Sequence, residues 1–161
     1  MAGKTAVVPG VIEMLKEDHE KVKGLFEEFE SVEGKEQADI AATTIMELEV
    51  HADLEEKLIY PAIREAIDDD EQMNEAIEEH HLVHVLIKEL KKLKPKDEAF
   101  QAKFKVLGEL VKHHVEEEEG EMFPKAQEAG LDWEALEMAV MKRKDTGVNK
   151  FTRGKKPFAK A

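Results

Sequence analysis

Hydrophobic residues recur every three or four positions along most of the chain, which is the spacing of one buried face of an α-helix. Alternating β-branched runs and Asn-Gly turns, the usual signals of strands and hairpins, are missing from the sequence. The pattern predicts four long helices and a shorter fifth, over residues 11–31, 36–67, 71–93, 98–129 and 133–144. Long helices joined by short turns favour an all-α, up-down-up-down four-helix bundle.

The second and fourth predicted helices share a motif, His-x3-Glu-Glu-x3-aromatic-Pro, which starts at His51 in one helix and at His114 in the other. A His and a Glu four residues apart lie on one helix face about one turn apart, so both can reach the same metal ion. The first and third helices also repeat each other, with an acid–His pair that ends at His19 and, at nearly the same offset along the chain, at His80. The chain is therefore predicted to consist of two similar helical hairpins.

The apolar stripe of each long helix is interrupted by His or Glu. The two His of the first hairpin are almost equally far along the chain from the turn at Gly34, and those of the second hairpin are almost equally far from Pro95. At a rise of about 1.5 Å per residue the mismatches in height are about 3 Å and about 6 Å, one helical turn at most, so the side chains are expected at one level. On the third helix, either Val83 or His84 continues the stripe. The residues expected to meet are His19, His51, Glu55, His80, His84, His114 and Glu118.

A buried layer of His and Glu is costly unless cations accompany it. Burying an unpaired carboxylate costs several kcal/mol and each unpaired imidazole adds roughly one to three, against a net stability of ~5–15 kcal/mol for a domain. No Lys or Arg lies on the same stripes. A single His on an apolar face is more often a hydrogen-bonded core residue, but the group as a whole predicts bound metal. Because the chain has no Cys, that metal must be held by His and carboxylate.

Four ionisable residues fall beside the stripes. His81 and His113 are expected to flank the site or to orient a ligand. Glu56 and Glu119 lie one position past the stripe and are expected on a solvated face, with Glu119 as the alternative to Glu118 as a ligand.

The aromatic residue of each motif, Tyr60 or Phe123, lies about two and a half helical turns beyond the motif His. That distance is too great for the same ion, so both rings are expected to pack in the core. The prolines that follow, Pro61 and Pro124, are expected to kink or end their helices.

At 161 residues and 18.3 kDa the chain has the size of one domain, predicted over residues 1–144. No window reaches the length of uninterrupted apolar sequence that a membrane span needs, and the start of the chain lacks the basic and apolar regions of a secretion signal. We therefore expect a cytoplasmic protein with no membrane span.

Charge is unevenly distributed along the chain. The net charge is −13, yet residues 142–161 carry eight Lys or Arg and one acid, which leaves −20 on the preceding residues. The acidic body opposes nonspecific contact with nucleic acid, which needs clustered basic residues. The segment 145–161, with its Gly and Pro, predicts a flexible basic tail that is solvated or, as the alternative, contacts a protein partner or nucleic acid.

Taken together, the ordered set of residues between about 11 and 127 resembles the hemerythrin family, in particular its small bacterial HHE cation-binding domains. The carriers are Asp18-His19, His51-x3-Glu55-Glu56 with Tyr60-Pro61, Glu79-His80 with His84, and His114-x3-Glu118-Glu119 with Phe123-Pro124. The resemblance implies two Fe ions with an oxo or hydroxo bridge, Glu55 and Glu118 as bridging ligands, and the five His as terminal ligands. Hemerythrins that carry oxygen place an Asp five residues after the last His, whereas this chain has Glu at the fourth and fifth positions.

The resemblance and the ligand set predict a protein that binds O2 or a related diatomic ligand for storage, sensing or delivery. A di-iron enzyme that removes hydrogen peroxide or nitric oxide is one alternative, because an open coordination position serves either role. A signalling module, in which metal orders the bundle and the tail or the Trp133 helix contacts a partner, is another. Ferritin-like sites need Glu-x-x-His on two helices, and only Glu78-x-x-His81 fits. His and carboxylate ligands suit Zn and Mn as well as Fe.

Overall fold

The computed structural model describes residues 8–152 and 158, with side chains over 8–146 and at 158. Four long helical segments, here called rods, form the bundle. Single π-helical turns, Glu55–Ile59 and Glu118–Met122, interrupt the second and the fourth rod. Over the described residues all regular structure is helical, which confirms the predicted all-α class. The helices are α1 Gly10–Ser31, α2 Gly34–Leu54, α3 Tyr60–Ala66, α4 Asp70–Leu90, α5 Glu98–Glu117, α6 Phe123–Glu128 and α7 Trp133–Thr152.

The bundle consists of two antiparallel hairpins, as the internal repeat predicted. Helix α1 packs on α2, α4 packs on α5, and α1 meets α5 across the two hairpins. The turn into α2 is tight, and Gly34 has a φ of 62° there. Glycine adopts this left-handed conformation without steric cost, so a short connection can reverse the chain. The result is the predicted up-down-up-down four-helix bundle.

Two hydrophobic cores fill the bundle, one on either side of a polar layer. The first core includes Leu15 and Leu54, both fully buried. The second is aromatic, with the ring centroids of Phe29 and Phe104 4.1 Å apart and Phe100 stacked on Phe104 at 6.0 Å. Each such side chain contributes about 1.5–3 kcal/mol on burial. The cores therefore hold the polar layer between them in fixed geometry.

The second and fourth rods are not single helices, contrary to the expectation from the sequence. In each, a π-helical turn begins at the motif Glu, and the amide of the aromatic residue five positions later donates to its carbonyl: Tyr60 to Glu55 and Phe123 to Glu118. The α-helix restarts directly afterwards, so Pro61 and the equivalent proline fall in the first turn of α3 and α6. The backbone is right-handed helical on both sides of this junction, so each rod continues through it and the prolines do not end the rods.

Helix α7 packs along α2 and α1, with Leu136 and Val140 in the first core. Arg143 makes two hydrogen bonds to Asp53, of 2.7 and 3.0 Å. The helix ends at Thr152, beyond the predicted end at residue 144. A single interior Gly costs a helix only about 1 kcal/mol, so the chain continues past residue 147.

The predicted basic tail begins inside this last helix. Phe158 packs edge-on against Phe100, with ring centroids 5.1 Å apart. The remaining predicted tail residues, 153–157 and 159–161, lie outside the described residues. None of the described helices has an apolar stretch long enough to cross a membrane.

Candidate metal centre

Six of the seven predicted ligands meet in the polar layer between the two cores. They expose no more than 11% of their side-chain surface. Each of the four rods contributes, because the imidazoles come from α1, α2, α4 and α5 and the carboxylates open the two π-helical turns. The residues are His19, His51, Glu55, His80, His114 and Glu118.

The first group of donors combines the two imidazoles of the first hairpin with both carboxylates. His19 Nε2 and His51 Nε2 lie 3.1 Å apart. His51 Nε2 is 3.1 Å from Glu55 Oε1, and His19 Nε2 is 3.3 Å from Glu118 Oε1. These donor atoms all lie within 4.8 Å of one another.

The second group repeats this arrangement with the imidazoles of the second hairpin. His80 Nε2 and His114 Nε2 lie 3.2 Å apart. His80 Nε2 is 3.3 Å from Glu55 Oε1, and His114 Nε2 is 2.9 Å from Glu118 Oε2. Both carboxylates therefore belong to both groups, and the two groups stand side by side across them.

Outer carboxylates set the orientation of three imidazoles. In each, Nδ1 lies 3.1–3.2 Å from an acid, to which the Nδ1–H donates, so Nε2 faces the centre. His19 differs, because its Nδ1 has no hydrogen-bond partner and its nearest acid is Glu119 at 3.7 Å. The oriented pairs are His51 with Asp18, His80 with Glu56, and His114 with Glu79.

The buried charges polarise one another strongly. Burial alone would raise the pKa of Glu55, but the positive charge of the neighbouring His51 holds it well below its ordinary value. Burial would likewise lower the imidazole pKa values, yet the carboxylates raise the pKa of His51 to about 10, of His80 to about 9 and of His114 to about 11. Without metal, protons therefore supply the positive charge of this layer.

Protons alone leave the layer poorly satisfied, and metal ions fit it better. Both oxygens of Glu55 and Oε1 of Glu118 are buried without a hydrogen-bond partner, because the nearby imidazole nitrogens do not point at them. Instead, the Nε2 atoms face each other in pairs. A metal with bonds of about 2.1 Å places neighbouring donors roughly 3.0–3.4 Å apart, which matches the spacings of both groups. The donor set thus suits two cations that share both carboxylates.

Tyr60 enters the second group, and the expectation that it only packs in the core was wrong. Its hydroxyl donates to Glu118 Oε2 at 2.5 Å and lies 2.9 Å from His114 Nε2 and 3.1 Å from His80 Nε2. Distance along its own rod excluded Tyr60 from a site shared with His51, but the hydroxyl reaches the imidazoles of the opposite hairpin. The π-helical turn also rotates the tyrosine back toward the face of the motif Glu.

The equivalent position in the second hairpin holds Phe123, whose ring lies parallel to that of His19 at 6.2 Å. Phenylalanine offers no donor atom. The second group therefore has five candidate donors and the first has four, an asymmetry that the repeated motif does not show by itself. Burial and the neighbouring carboxylates raise the pKa of Tyr60 well above its ordinary value, so the hydroxyl keeps its proton without metal.

His84, the seventh predicted ligand, lies outside both groups. Its side chain is 44% exposed and its Nε2 is 2.8 Å from Glu56 Oε2. Val83 takes the core position on α4, so His84 points toward the bundle surface. His81 and His113 are exposed as well, and neither orients a ligand. Acids perform that task.

Two acids expected on the solvated face, Glu56 and Glu119, instead lie against imidazoles of the layer. The acids that precede His19 and His80 orient the His of the neighbouring rod in the same hairpin. Sequence reasoning assigned no role to these two acids. An acid directly before each of the two His is a repeated feature of the sequence, and that repeat could have indicated their role.

A small cavity of about 40 Å³ adjoins the imidazoles on the side of the second core. All four imidazoles line it, together with Glu55 and the apolar side chains of Val22, Leu48, Val83, Val111 and Val115. Tyr60 and Phe123 lie on the opposite side of the layer, in the first core. The centre thus has an aromatic side and a side that opens to a small apolar space.

Comparison with known proteins identifies the family of the chain. The profile described as Hemerythrin HHE cation binding domain matches residues 10–126. The chain belongs to this hemerythrin HHE family. The predicted resemblance is confirmed, and the matched segment contains every residue of both donor groups.

Two relatives put the HHE domain in context. A crystal structure of a hemerythrin HHE cation binding domain-containing protein from Mycobacterium kansasii superimposes with a TM-score of 0.72 at 22% identity, over 90% of this chain and 94% of that one. At this identity the likeness concerns the fold. A protein named DNA nickase from a Nostoc species is 26% identical over 112 residues, which are 69% of this chain and 32% of the relative. The chain thus spans about a third of that relative.

The last helix touches the centre of this HHE domain through one hydrogen-bonded path. Lys144 Nζ donates to Asp18 Oδ1 at 3.0 Å, and Asp18 Oδ2 accepts from His51 Nδ1 at 3.2 Å. In the second hairpin, Glu79 pairs with His113 and His114, and no Lys or Arg among the described side chains pairs with it. The outer carboxylate of the first hairpin, Asp18, is therefore paired with a lysine, whereas that of the second hairpin, Glu79, is paired with histidines.

Metal binding to this domain should release protons. His51, His80 and His114 have pKa values of about 10, 9 and 11, so each carries an Nε2 proton at pH 7 that a metal must displace. We expect about three protons released per chain at pH 7 on zinc binding, fewer as the pH rises through 9–11, and weaker binding as the pH falls. Calorimetry in buffers of different ionisation enthalpy measures the release, and an apparent enthalpy independent of buffer would contradict the assignment.

Replacing Tyr60 tests the fifth donor. Tyr60→Phe should weaken binding of one of two zinc equivalents by about ten- to a hundredfold, because the second group loses the hydroxyl. The helical content should stay unchanged, since Phe123 shows that phenylalanine fits the equivalent position. Phe123→Leu is the matched control, and its two zinc affinities should match those of the parent protein. Two zinc ions bound by Tyr60→Phe with unchanged affinities would remove the hydroxyl from the centre.

Proposed function

We propose that the chain is a non-haem di-iron protein that binds O2 or a related diatomic molecule, for oxygen storage or sensing. The supporting observation is the pair of buried donor groups that share Glu55 and Glu118 next to a small apolar cavity of about 40 Å³. The family membership supports a cation-binding role, and the iron and its ligand are our proposal.

Iron at both groups supplies reversible redox chemistry and an open coordination position when bound. The side chains explain why a small ligand suits the site. One ordered water needs about 10–15 Å³ of such space, so 40 Å³ holds a molecule of two or three heavy atoms. Val22, Leu48 and Val83 make the walls apolar, which favours O2 or nitric oxide over ions.

The donor set also favours reversible binding over oxidation chemistry. Four neutral imidazoles and two carboxylates donate less negative charge than the carboxylate-rich Glu-x-x-His sites of ferritin-like proteins. Less donated charge stabilises the lower oxidation state of iron. Glu55 and Glu118 would hold both ions, and Asp18, Glu56 and Glu79 orient the imidazoles so that their Nε2 atoms would face them.

Removal of hydrogen peroxide is the second candidate, and the Tyr60 hydroxyl favours it. Two molecules of H2O2 give two of water and one of O2, and the reaction needs protons to move between oxygen atoms. Tyr60 holds a proton 2.5 Å from Glu118, inside the centre. It lies opposite the cavity, however, so reversible ligand binding is our first choice.

The other proposed roles have less support. A signalling role depends on a partner for the basic tail, most of which lies outside the described residues. The name of the Nostoc relative concerns DNA, but the chain spans about a third of it and carries a net charge of −13, which opposes contact with phosphates. We do not extend that activity to this chain. A cytoplasmic location stays an expectation from the sequence.

Anaerobic titration with Fe(II), followed by admission of air, tests the proposal. We expect two irons per chain and an optical band that appears with O2 and disappears on its removal. His84→Ala should still bind two irons, whereas His80→Ala should retain about one, because His80 belongs to one of the two buried donor groups and His84 to neither. Loss of iron from both variants alike would contradict the assignment. Sustained O2 release from peroxide by the parent protein would select the enzymatic alternative.

A further inference from the structure

We propose that small uncharged molecules reach the metal centre through the groove between α1 and α5, and that Val111 and Val115 form the inner wall that they pass. The inference deepens the proposed function, since it concerns how a diatomic ligand enters the same centre.

An open groove runs along the bundle surface between α1 and α5. It has a volume of about 770 Å³ and runs beside α1 and α5, from Gln37 and Gln101 at one end to His19 and Glu119 at the other. Phe26 and Phe104 contribute to its apolar floor. One end of the groove therefore reaches a ligand of the first donor group.

The groove and the small cavity share part of their lining. Three residues line both spaces: His19, Val111 and Val115. The two valines lie one turn apart on α5, so their side chains project in the same direction. Both are half-buried. The groove and the space beside the imidazoles are therefore adjacent, and the two valines lie at their shared boundary.

The other sides of the cavity are better closed. Val22, Leu48 and Val83 belong to the second core and expose 4%, 7% and 9% of their surface. On the side of α1 and α2, helix α7 covers the bundle, and Lys144 and Arg143 fasten it beside the cavity through hydrogen bonds to Asp18 and Asp53. The α1–α5 face carries no such cover among the described residues.

The chemistry of the route suits an uncharged molecule. An ion would lose its hydration shell on passing two valines, which costs several kcal/mol, whereas O2, nitric oxide or xenon loses little. The imidazole at the wall is also the least restrained of the four. His19 Nδ1 has no hydrogen-bond partner, so a shift of His19 breaks no Nδ1 hydrogen bond, whereas a shift of any of the three imidazoles held by outer acids does.

Xenon exchange measured by NMR on zinc-loaded protein tests the route without iron chemistry. Val115→Ala should speed exchange between the cavity and solvent about tenfold, which corresponds to a barrier lower by about 1.4 kcal/mol. Val111→Phe should slow it, because a larger side chain thickens the wall. Val83→Ala is the matched control: it removes the same atoms from the cavity lining but borders no groove, so it should leave the exchange rate unchanged.

Nitric oxide binding to the iron-loaded protein gives a second measurement. In Val115→Ala the association and dissociation rate constants should both rise, which is the signature of a lower barrier on the path. Val83→Ala should leave the association rate constant unchanged, because it alters the cavity and not its entrance.

The outcomes separate this inference from the proposed function. If Val115→Ala speeds xenon exchange but the protein binds no iron, the route is supported and the di-iron function is contradicted. If the protein binds iron and O2 but neither Val115→Ala nor Val111→Phe changes the exchange rates, only the route is contradicted. Equal acceleration by Val115→Ala and Val83→Ala, or no xenon in the cavity of either, would also overturn it.

Discussion

The structure depends on two buried carboxylates, Glu55 and Glu118, that face four imidazoles in a layer between two hydrophobic cores. Buried carboxylates are expensive, and in this layer three of their four oxygens find no hydrogen bond. Positive charge must therefore lie among the six side chains. Protonated imidazoles supply it without metal, whereas cations placed between the paired Nε2 atoms would satisfy both the carboxylate oxygens that lack a hydrogen bond and the facing nitrogens. The rest of the site follows from this constraint.

The internal repeat builds the shared centre, and small departures from it make the two halves unequal. Each hairpin contributes two imidazoles and one carboxylate that belongs to both donor groups. The π-helical turns then bring the residue five positions after each carboxylate to the centre, as Tyr60 in one half and Phe123 in the other. One donor group gains a hydroxyl and the other an apolar ring. Lys144 adds a second difference, because it reaches the outer acid of the first hairpin alone.

Much of this arrangement was predictable, because helical periodicity fixes the helix face on which a residue lies and its position along the bundle axis. The all-α bundle, the two hairpins and the meeting of six ligands follow from apolar spacing and from counting residues away from the turns. The π-helical turns could not be predicted, since one extra residue per turn leaves no compositional mark, and without them Tyr60 appeared too distant. Val83 and His84 were both possible on the stripe of α4, and only packing decides between adjacent residues. The acids beside the imidazoles looked solvated, because an orienting carboxylate has the same helical position as a surface one.

The most direct test of this account is anomalous X-ray diffraction from crystals grown with iron or zinc. The account predicts two metal peaks, one about 2.0–2.2 Å from the Nε2 atoms of His19 and His51 and the other equally close to those of His80 and His114, with Glu55 and Glu118 in contact with both. A single peak, a peak beside His84 and Glu56 alone, or six side chains satisfied by hydrogen bonds with no metal peak would contradict it.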